Sequence, residues 1–418
     1  MNLWKPLTSL FTKGASNTMT TDQGYGVFAG ILGGGTRSGV TVNRETAMQL
    51  AVVFSCLRVL SEGVAQVPFK LMKSTPGGAG QMDTRLEARE HPLFDVLHRK
   101  PNGWMTSFDL RSTLMIHAAL ADNGYAYIAE SNLGARKFFE LLPLDPSRVR
   151  PEQLDDWTVV YHVAGKDGVI KQIPSSRIWH LRGLSLDGLV GVDVLKVARE
   201  AMGLAIATER THAALHSNGV KTSGVYSVEG TLTTVQFEAL NNWVKKNFTG
   251  NSNAGVPMIL DRNAKWSPTT MTGVDAQHVE TRRHQIEEIC RFFRVLPIMI
   301  GYSGDKTPTY ASAEQLFMAH VVHTLMPWYE RIQQSADTSL LTDAERAQGY
   351  YVKLFEAGLL RGAMRDMGEF MGRMVSVGVM TRNEARAKLD SNPIDGLDEP
   401  LTPVNMTTSP QGGGPNED

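Results

Sequence analysis

His212 and His216 stand four residues apart in a helical pattern, and His320 and His323 stand three apart in another. Such spacing puts two imidazoles on one helix face, as two ligands of a zinc ion would require. Neither pair sits in a His-Glu-x-x-His pattern, and no third ligand at a metal-binding spacing accompanies them. Pairs of this kind more often line a partly buried or inter-subunit helix face. The chain has two cysteines, Cys56 and Cys290, both in apolar helical contexts. They read as small core residues of a reduced compartment rather than as a disulfide framework.

Nucleophilic chemistry is no better served. No Gly-x-Ser-x-Gly elbow occurs. Glu287 and Glu288 are adjacent, which turns their carboxylates to different sides of a helix. The run GGGTRSG, residues 33–39, lacks the Gly-Lys-Ser/Thr ending of a phosphate-binding loop. The residues predict no enzyme, no metal and no cofactor.

Nucleic-acid contact is the remaining chemistry. The chain has 418 residues, 42 basic and 43 acidic, for a net charge of -1. Tight grip on phosphates needs a basic surplus, because released counterions drive that binding. Any contact with nucleic acid is therefore expected to be loose. Trp243 beside Lys245 and Lys246 could form a basic and aromatic patch, though such helices more often turn the Trp inward and leave the lysines solvated. The polar run Ser303, Gly304, Asp305, Lys306, Thr307, Pro308, Thr309 carries a single cation.

The elements that must carry these residues form an α+β chain. The start MNLWKPLTSLF is too short and polar for a signal peptide, and no window approaches the roughly 20 apolar residues of a membrane span. A soluble protein made in the cytoplasm is expected. Residues 1–45 are rich in Gly, Ser and Thr and read as a flexible arm. Order is predicted from Thr46, with a helix running to Pro68, a strand FKLMK, helices in HPLFDVLHRKP and SFDLRSTLMIHAALADNG, and a C-cap at Gly124. Alternating runs between YAYIAE and GVIKQIP predict one small antiparallel sheet within residues 46–185.

A long helix is predicted over residues 192–217, its Ala198, Ala201, Gly203, Ala205 and Ala207 allowing close approach of a neighbour. A small insert of strand, helix and two strands follows to residue 274. Residues 276–294 form a helix with Ile286, Ile289, Cys290 and Phe293 on one face and charged i,i+4 neighbours on the other. Beyond the polar loop, a helix is predicted from Ala313 to Leu341, with a capping box from Ser312 to Gln315 and a kink at Pro327. A strand YYVKLF, a helix over 362–376 and a short helix TRNEARAKL capped by Thr381 or Asn383 follow. The end of the chain, acidic and proline-rich, reads as a loose tail.

The order of several blocks resembles the portal proteins of tailed bacteriophages, of the siphophage type, from about Thr46 to Pro403. The blocks are HPLFDVLHRKPN, MTSFDLRSTL, NGYAYI, LLPLDPSRV, IWHLRGLSLDGLVGVDVL, NAGVPMIL, DAQHVETRRHQIEEICRFFRVLPIMIG, TLMPW, MTRNEARAKL and PIDGLDEPL. The resemblance implies a portal fold: a wing, a long-helix stem, a small α/β clip, a tunnel loop with a kinked helix, and a short helical crown. Its implied parts are wing 46–190 with a return at 342–378, stem helices 191–219 and 275–295, and clip 220–274. The tunnel-loop region would be 296–311, the kinked helix 312–341, the crown 379–400 and a disordered acidic tail 401–418.

The implied function is a dodecameric homo-oligomeric ring at one capsid vertex. DNA would pass through it without sequence specificity during packaging and ejection. Ser303 to Thr309 would face the channel, and Trp243, Lys245 and Lys246 would face terminase. Terminase, head–tail connector proteins and the major capsid protein would be partners, with no membrane. The location would be the virion, after assembly in the host cytoplasm. A capsid-associated hydrolase or another virion structural protein is the alternative.

Overall fold

The computed structural model describes residues 36–77, 83–133, 136–218, 224–227, 233–248, 265–268, 274–304, 310–355, 361–389 and 391–401. Two compact units divide them: the larger comprises residues 56–194 and those from 294 onward, the smaller the described residues up to 55 together with 195–293.

Helices α1 (Arg44–Met48) and α2 (Ala51–Ala65) replace the single helix expected up to Pro68. Asn43 caps α1 by accepting from Thr46 N at 2.8 Å. Residues 36–45 are not a free arm. Thr36, Val40 and Val42 are buried, and the Thr36 hydroxyl donates to Val40 O at 2.8 Å across a turn that Gly39 makes at φ 75. The Gly-rich composition had hidden two valines that find a core.

Among the described residues the larger unit holds three three-stranded antiparallel sheets, not one. In the first, β1 (Phe69–Thr75) pairs with β2 (Thr84–Glu87) and with β11 (Tyr350–Leu354), a strand from far along the chain. In the second, β3 (Asn123–Leu133) lies between β4 (Arg136–Leu144) and β8 (Ile178–Arg182). The third is β5 (Val149–Gln153), β6 (Val159–Ala164) and β7 (Ile170–Pro174). Tyr125, Val149, Tyr161, Val163 and Ile178 form the apolar layer that joins the second and third sheets. Period-two alternation marks a strand but not its partner, which is why the sheets were not separable by sequence.

Helices α3 (Pro92–His98) and α4 (Ser107–Ala121) flank β1 and β3. Thr106 and Asp109 form a capping box at the start of α4. Its end is not Gly124. Asp122 takes the left-handed position at φ 52, and Gly124 is already in β3, where an added Cβ would lie 2.8 Å from Leu114 O. That glycine serves close packing of helix on strand.

The helix expected over 192–217 is broken into α5 (Val194–Val197) and α6 (Arg199–Asn218). In the smaller unit α6 packs on α8 (Val274–Phe293), burying Ala198, Met202, Ala205 and Ile206 on one side and Ile289, Cys290 and Phe293 on the other. Gly203 meets Thr36, whose Cγ2 lies 2.6 Å from where a Cβ would be. That small residue admits the preceding segment rather than a helix. Helix α7 (Thr234–Phe248) and the antiparallel pair β9 (Gly224–Ser227) with β10 (Lys265–Pro268) are the described part of the insert; the run VPMILD lies outside the described residues.

Helix α9 begins at Tyr310, not Ala313, so Ser312 is inside it rather than its cap. It continues through a π-helical turn, Val321–Leu325, into α10 (Met326–Leu340). Short α11 (Asp343–Ala347) leads to β11; α12 (Arg361–Ser376) and α13 (Arg382–Lys388) follow. Thr381 caps α13 through a box with Glu384. Asn383 is buried instead and ties down the next segment, donating to Ile394 O at 2.9 Å and Asp398 Oδ1 at 2.8 Å. Residues 391–401, where the loose acidic tail was expected to begin, therefore hold a defined course, and the rest of that tail lies outside the described residues.

Candidate functional site

The segment from Arg294 to Leu341 carries most of the residues marked by the sequence. Arg294 is left-handed at φ 55, and its carbonyl accepts from the Thr324 hydroxyl at 2.7 Å. Residues Pro297–Ile300 form a 3-10 turn closed by Gly301 at φ 82, with Tyr302 N donating to Pro297 O at 3.0 Å. Gly304 is left-handed again, at φ 63. Ser303 and Gly304 are exposed; Asp305, Lys306, Thr307, Pro308 and Thr309 lie outside the described residues. The polar loop thus leaves from a root bound to the helix behind it.

That helix is anchored from Val321 onward. Pro327 occupies the first turn of α10, just after the π-helical turn. Proline lacks the N–H that would close an α-helical bond and its ring crowds the preceding turn, so a widened turn ahead of it is a physically consistent solution. Val321, Thr324 and Leu325 of the turn are buried. Leu325 packs so closely on α2 that a Cβ at Gly63 would lie 2.9 Å from Leu325 Cδ2. The Tyr329 hydroxyl donates to Gly63 O at 2.9 Å. Further on, Trp179 Nε1 donates to Ser335 Oγ at 2.9 Å, while Gln333 and Asp337 accept from the β11 amides of Leu354 and Val352.

The histidine pairs do not converge. His320 is 3% exposed and burial lowers its pKa, which favours the neutral imidazole, while His323 points to the exposed side. His212 is half-buried, and the His216 side chain lies outside the described residues. Among the described residues no group of three or more His, Cys, Asp or Glu is placed to hold a metal ion. No helix among them is long and apolar enough to cross a membrane. In α7, Trp243 is 39% exposed, not packed fully inward; the side chains of Lys245 and Lys246 are outside the described residues.

A buried polar cluster at the β3–β8 end carried no sequence motif. Asn123 Oδ1 accepts from Gly191 N at 2.8 Å and from His180 Nε2 at 2.9 Å, and its Nδ2 donates to Ala121 O and Gly191 O. Every polar capacity of that amide is met. With Nε2 donating, His180 Nδ1 is left to accept from the Tyr161 hydroxyl, 3.2 Å away. Burial pushes the His180 imidazole down to about 3, so it stays neutral in this tautomer. Beside it, burial pushes the Asp122 carboxyl up to about 7, with Asp193 adding to the rise and Arg331 opposing it. An added Cβ at Gly191 would lie 2.1 Å from Asp122 O, so only glycine lets the loop pass this close. The signal in sequence was the Asp-Asn-Gly run at 122–124, whose turn chemistry was assigned to the wrong residue.

The family described as Phage portal protein matches residues 51–390. The portal protein of Enterobacteria phage HK97 is 26% identical over 388 residues, covering 90% of this chain and 88% of the relative. A probable portal protein of Streptomyces phage phiC31 is 28% identical over 398 residues, covering 90% and 82%. Among solved structures, a chain in the neck of the native gene transfer agent particle, computed with C12 symmetry, superposes with a TM-score of 0.57. It is 20% identical and the match covers 94% of this chain and 100% of that one.

Proposed function

This chain belongs to the phage portal protein family, and we propose from that premise that it forms the ring at one capsid vertex through which DNA is packaged and ejected. The match over residues 51–390, which spans both compact units, is the observation that carries the reading. A structural rather than enzymatic role goes with that family.

The portal parts are proposed at the boundaries set by the resemblance. Helices α6 and α8 would be the stem, residues 220–274 the clip that meets terminase and then the head–tail connectors, and Ser303 to Thr309 the channel loop. The left-handed glycines at 301 and 304 support that last assignment, because such positions suit a tight turn at the start of a polar segment. The net charge of -1 fits a duplex that slides: a strongly basic wall would hold phosphates. Twelve copies, contact with the major capsid protein and residence at the virion vertex belong to the same proposal. Residues 379–400 would form the crown.

Negative-stain microscopy of the purified chain tests the reading. Rings with a central hole are expected; uniform monomers at high concentration would overturn it.

A further inference from the structure

Two exposed tryptophans of the larger unit sit beside charges of opposite sign. At the β5–β6 tip, Trp157 is 80% exposed and stands at φ 67, where a bulky side chain is an outlier. The tip is stiff. Leu154 N donates to Thr158 O at 2.8 Å, Trp157 N donates to Leu154 O at 2.9 Å, and Asp156 Oδ1 accepts from Thr158 N at 3.0 Å and its hydroxyl at 2.6 Å. Glycine would take the same backbone shape without strain. An aromatic kept at a strained and solvated position points to a use outside the monomer. Asp155 and Asp156, both exposed, precede it.

The second tryptophan lies between α3 and α4. Trp104 is 58% exposed and Phe108 42%, with Arg99 and Lys100 exposed alongside. This loop is stiff too. Asn102 Oδ1 accepts from Trp104 N at 3.1 Å and Met105 N at 3.0 Å, while its Nδ2 donates to Leu141 O at 2.8 Å. Of the nearby carboxylates, Asp109 is engaged in capping Thr106, and Asp95 belongs to α3.

We infer that these two surfaces are halves of one contact between successive copies of the chain, Trp157 of one copy packing on Trp104 and Phe108 of the next while Asp155 and Asp156 face Arg99 and Lys100. The inference rests on the ring reading above. A closed ring repeats one heterologous contact, so each copy must present two different and complementary surfaces. Tryptophan and arginine are the residues that anchor such contacts, and a guanidinium over an indole face adds cation–π attraction. The signs also exclude the wrong pairings: tip against tip sets acid on acid, and loop against loop sets base on base.

Four variants test it by sedimentation and negative stain, with thermal unfolding of the unassembled subunit as a check on folding. Trp157→Gly removes the strain and the anchor together, so the subunit should unfold at a higher temperature while ring assembly needs roughly tenfold or more protein. Asp155→Lys with Asp156→Lys should weaken assembly, as should Arg99→Glu with Lys100→Glu. All four reversals together should restore it, since the charges again face opposite signs. Wild-type rings that persist unchanged in Trp157→Gly, or reversals that do not rescue each other, overturn this contact and leave the portal reading intact. A wild-type chain that never forms rings overturns both.

Discussion

At the β3–β8 end of the larger unit, polar groups are buried and tied to one another; along α6 and α8 in the smaller unit, most of the described polar groups lie at the surface, although Gln285 is buried. Asn123, His180 and Tyr161 form a chain in which each partner is satisfied. Trp179, 1% exposed, stacks on Phe69 with centroids 6.2 Å apart. The contacts described for the α6–α8 pair instead include an apolar seam, a 3.3 Å bond from Gln285 to Thr208, and an exposed ion pair between Arg282 and Glu209 at 3.4 Å. Glu280, Arg282, Arg283 and His284 all face outward. The first region is complete within one chain. The second has the surface of an element whose remaining contacts come from other copies, as the portal reading expects of a stem.

The largest expected effect lies in the complete region. Trp179→Ala removes a filled core position and the indole donor to Ser335 Oγ, and should cost about 3–5 kcal/mol in chemical denaturation. A loss below about 1 kcal/mol would erase the contrast between the two regions.

A second test reads the same region through pH. The Asp122 carboxyl sits at about 7 in the folded chain against a reference of 3.8. Its contribution is whole below pH 3.8 and is lost as pH rises through 7. His180 sits at about 3 against 6.5, so its contribution is whole above pH 6.5 and is lost as pH falls through 3. Between roughly pH 4 and 6.5 the two slopes, each up to about 1.4 kcal/mol per pH unit, oppose and largely cancel. Asp122→Asn should uncover the histidine: stability then falls on acidification below pH 6.5, where the parent is nearly flat. Equal profiles for both proteins would refute the opposed pair.

The smallest effect sharpens the other side. Arg282→Ala should change the stability of the unassembled subunit by less than about 0.5 kcal/mol, because both partners are exposed and hydrated. A loss above 1 kcal/mol in urea titration would show that this helix pair is held internally after all.

Much of this contrast was legible in the residues, but unevenly. The apolar stripe of α8 and the capping threonine of α13 depend on neighbours within one or two turns, and both could be read locally. The capping box at Thr106 was available to the same reasoning and went unread. What could not be read depended on distant partners. Gly124 looked like a helix stop because its need for close packing comes from Leu114, ten residues back. Strand β11 belongs with β1 across more than half the chain. The Asn123 cluster had no motif because Gly191 and His180 meet it only in the fold. Of the residues proposed for the channel loop, Ser303 and Gly304 are exposed and Asp305 to Thr309 lie outside the described residues, so the whole assignment rests on the family resemblance.

The π-helical turn has a consequence for inheritance. Such a turn holds one residue more than an α-helix would need over the same stretch. Deleting any one of Val321 to Leu325 would take out that extra residue and restore regular winding, so the half of the helix nearer the loop would keep its faces against α10, which is fixed by Tyr329 and Ser335. The regular winding on either side has no such slack: each α-helical residue there advances the helix by about 100°, and losing one would turn the two halves against each other by that angle. Length at this point is therefore close to neutral, while a one-codon loss a turn away would re-aim one half of the helix.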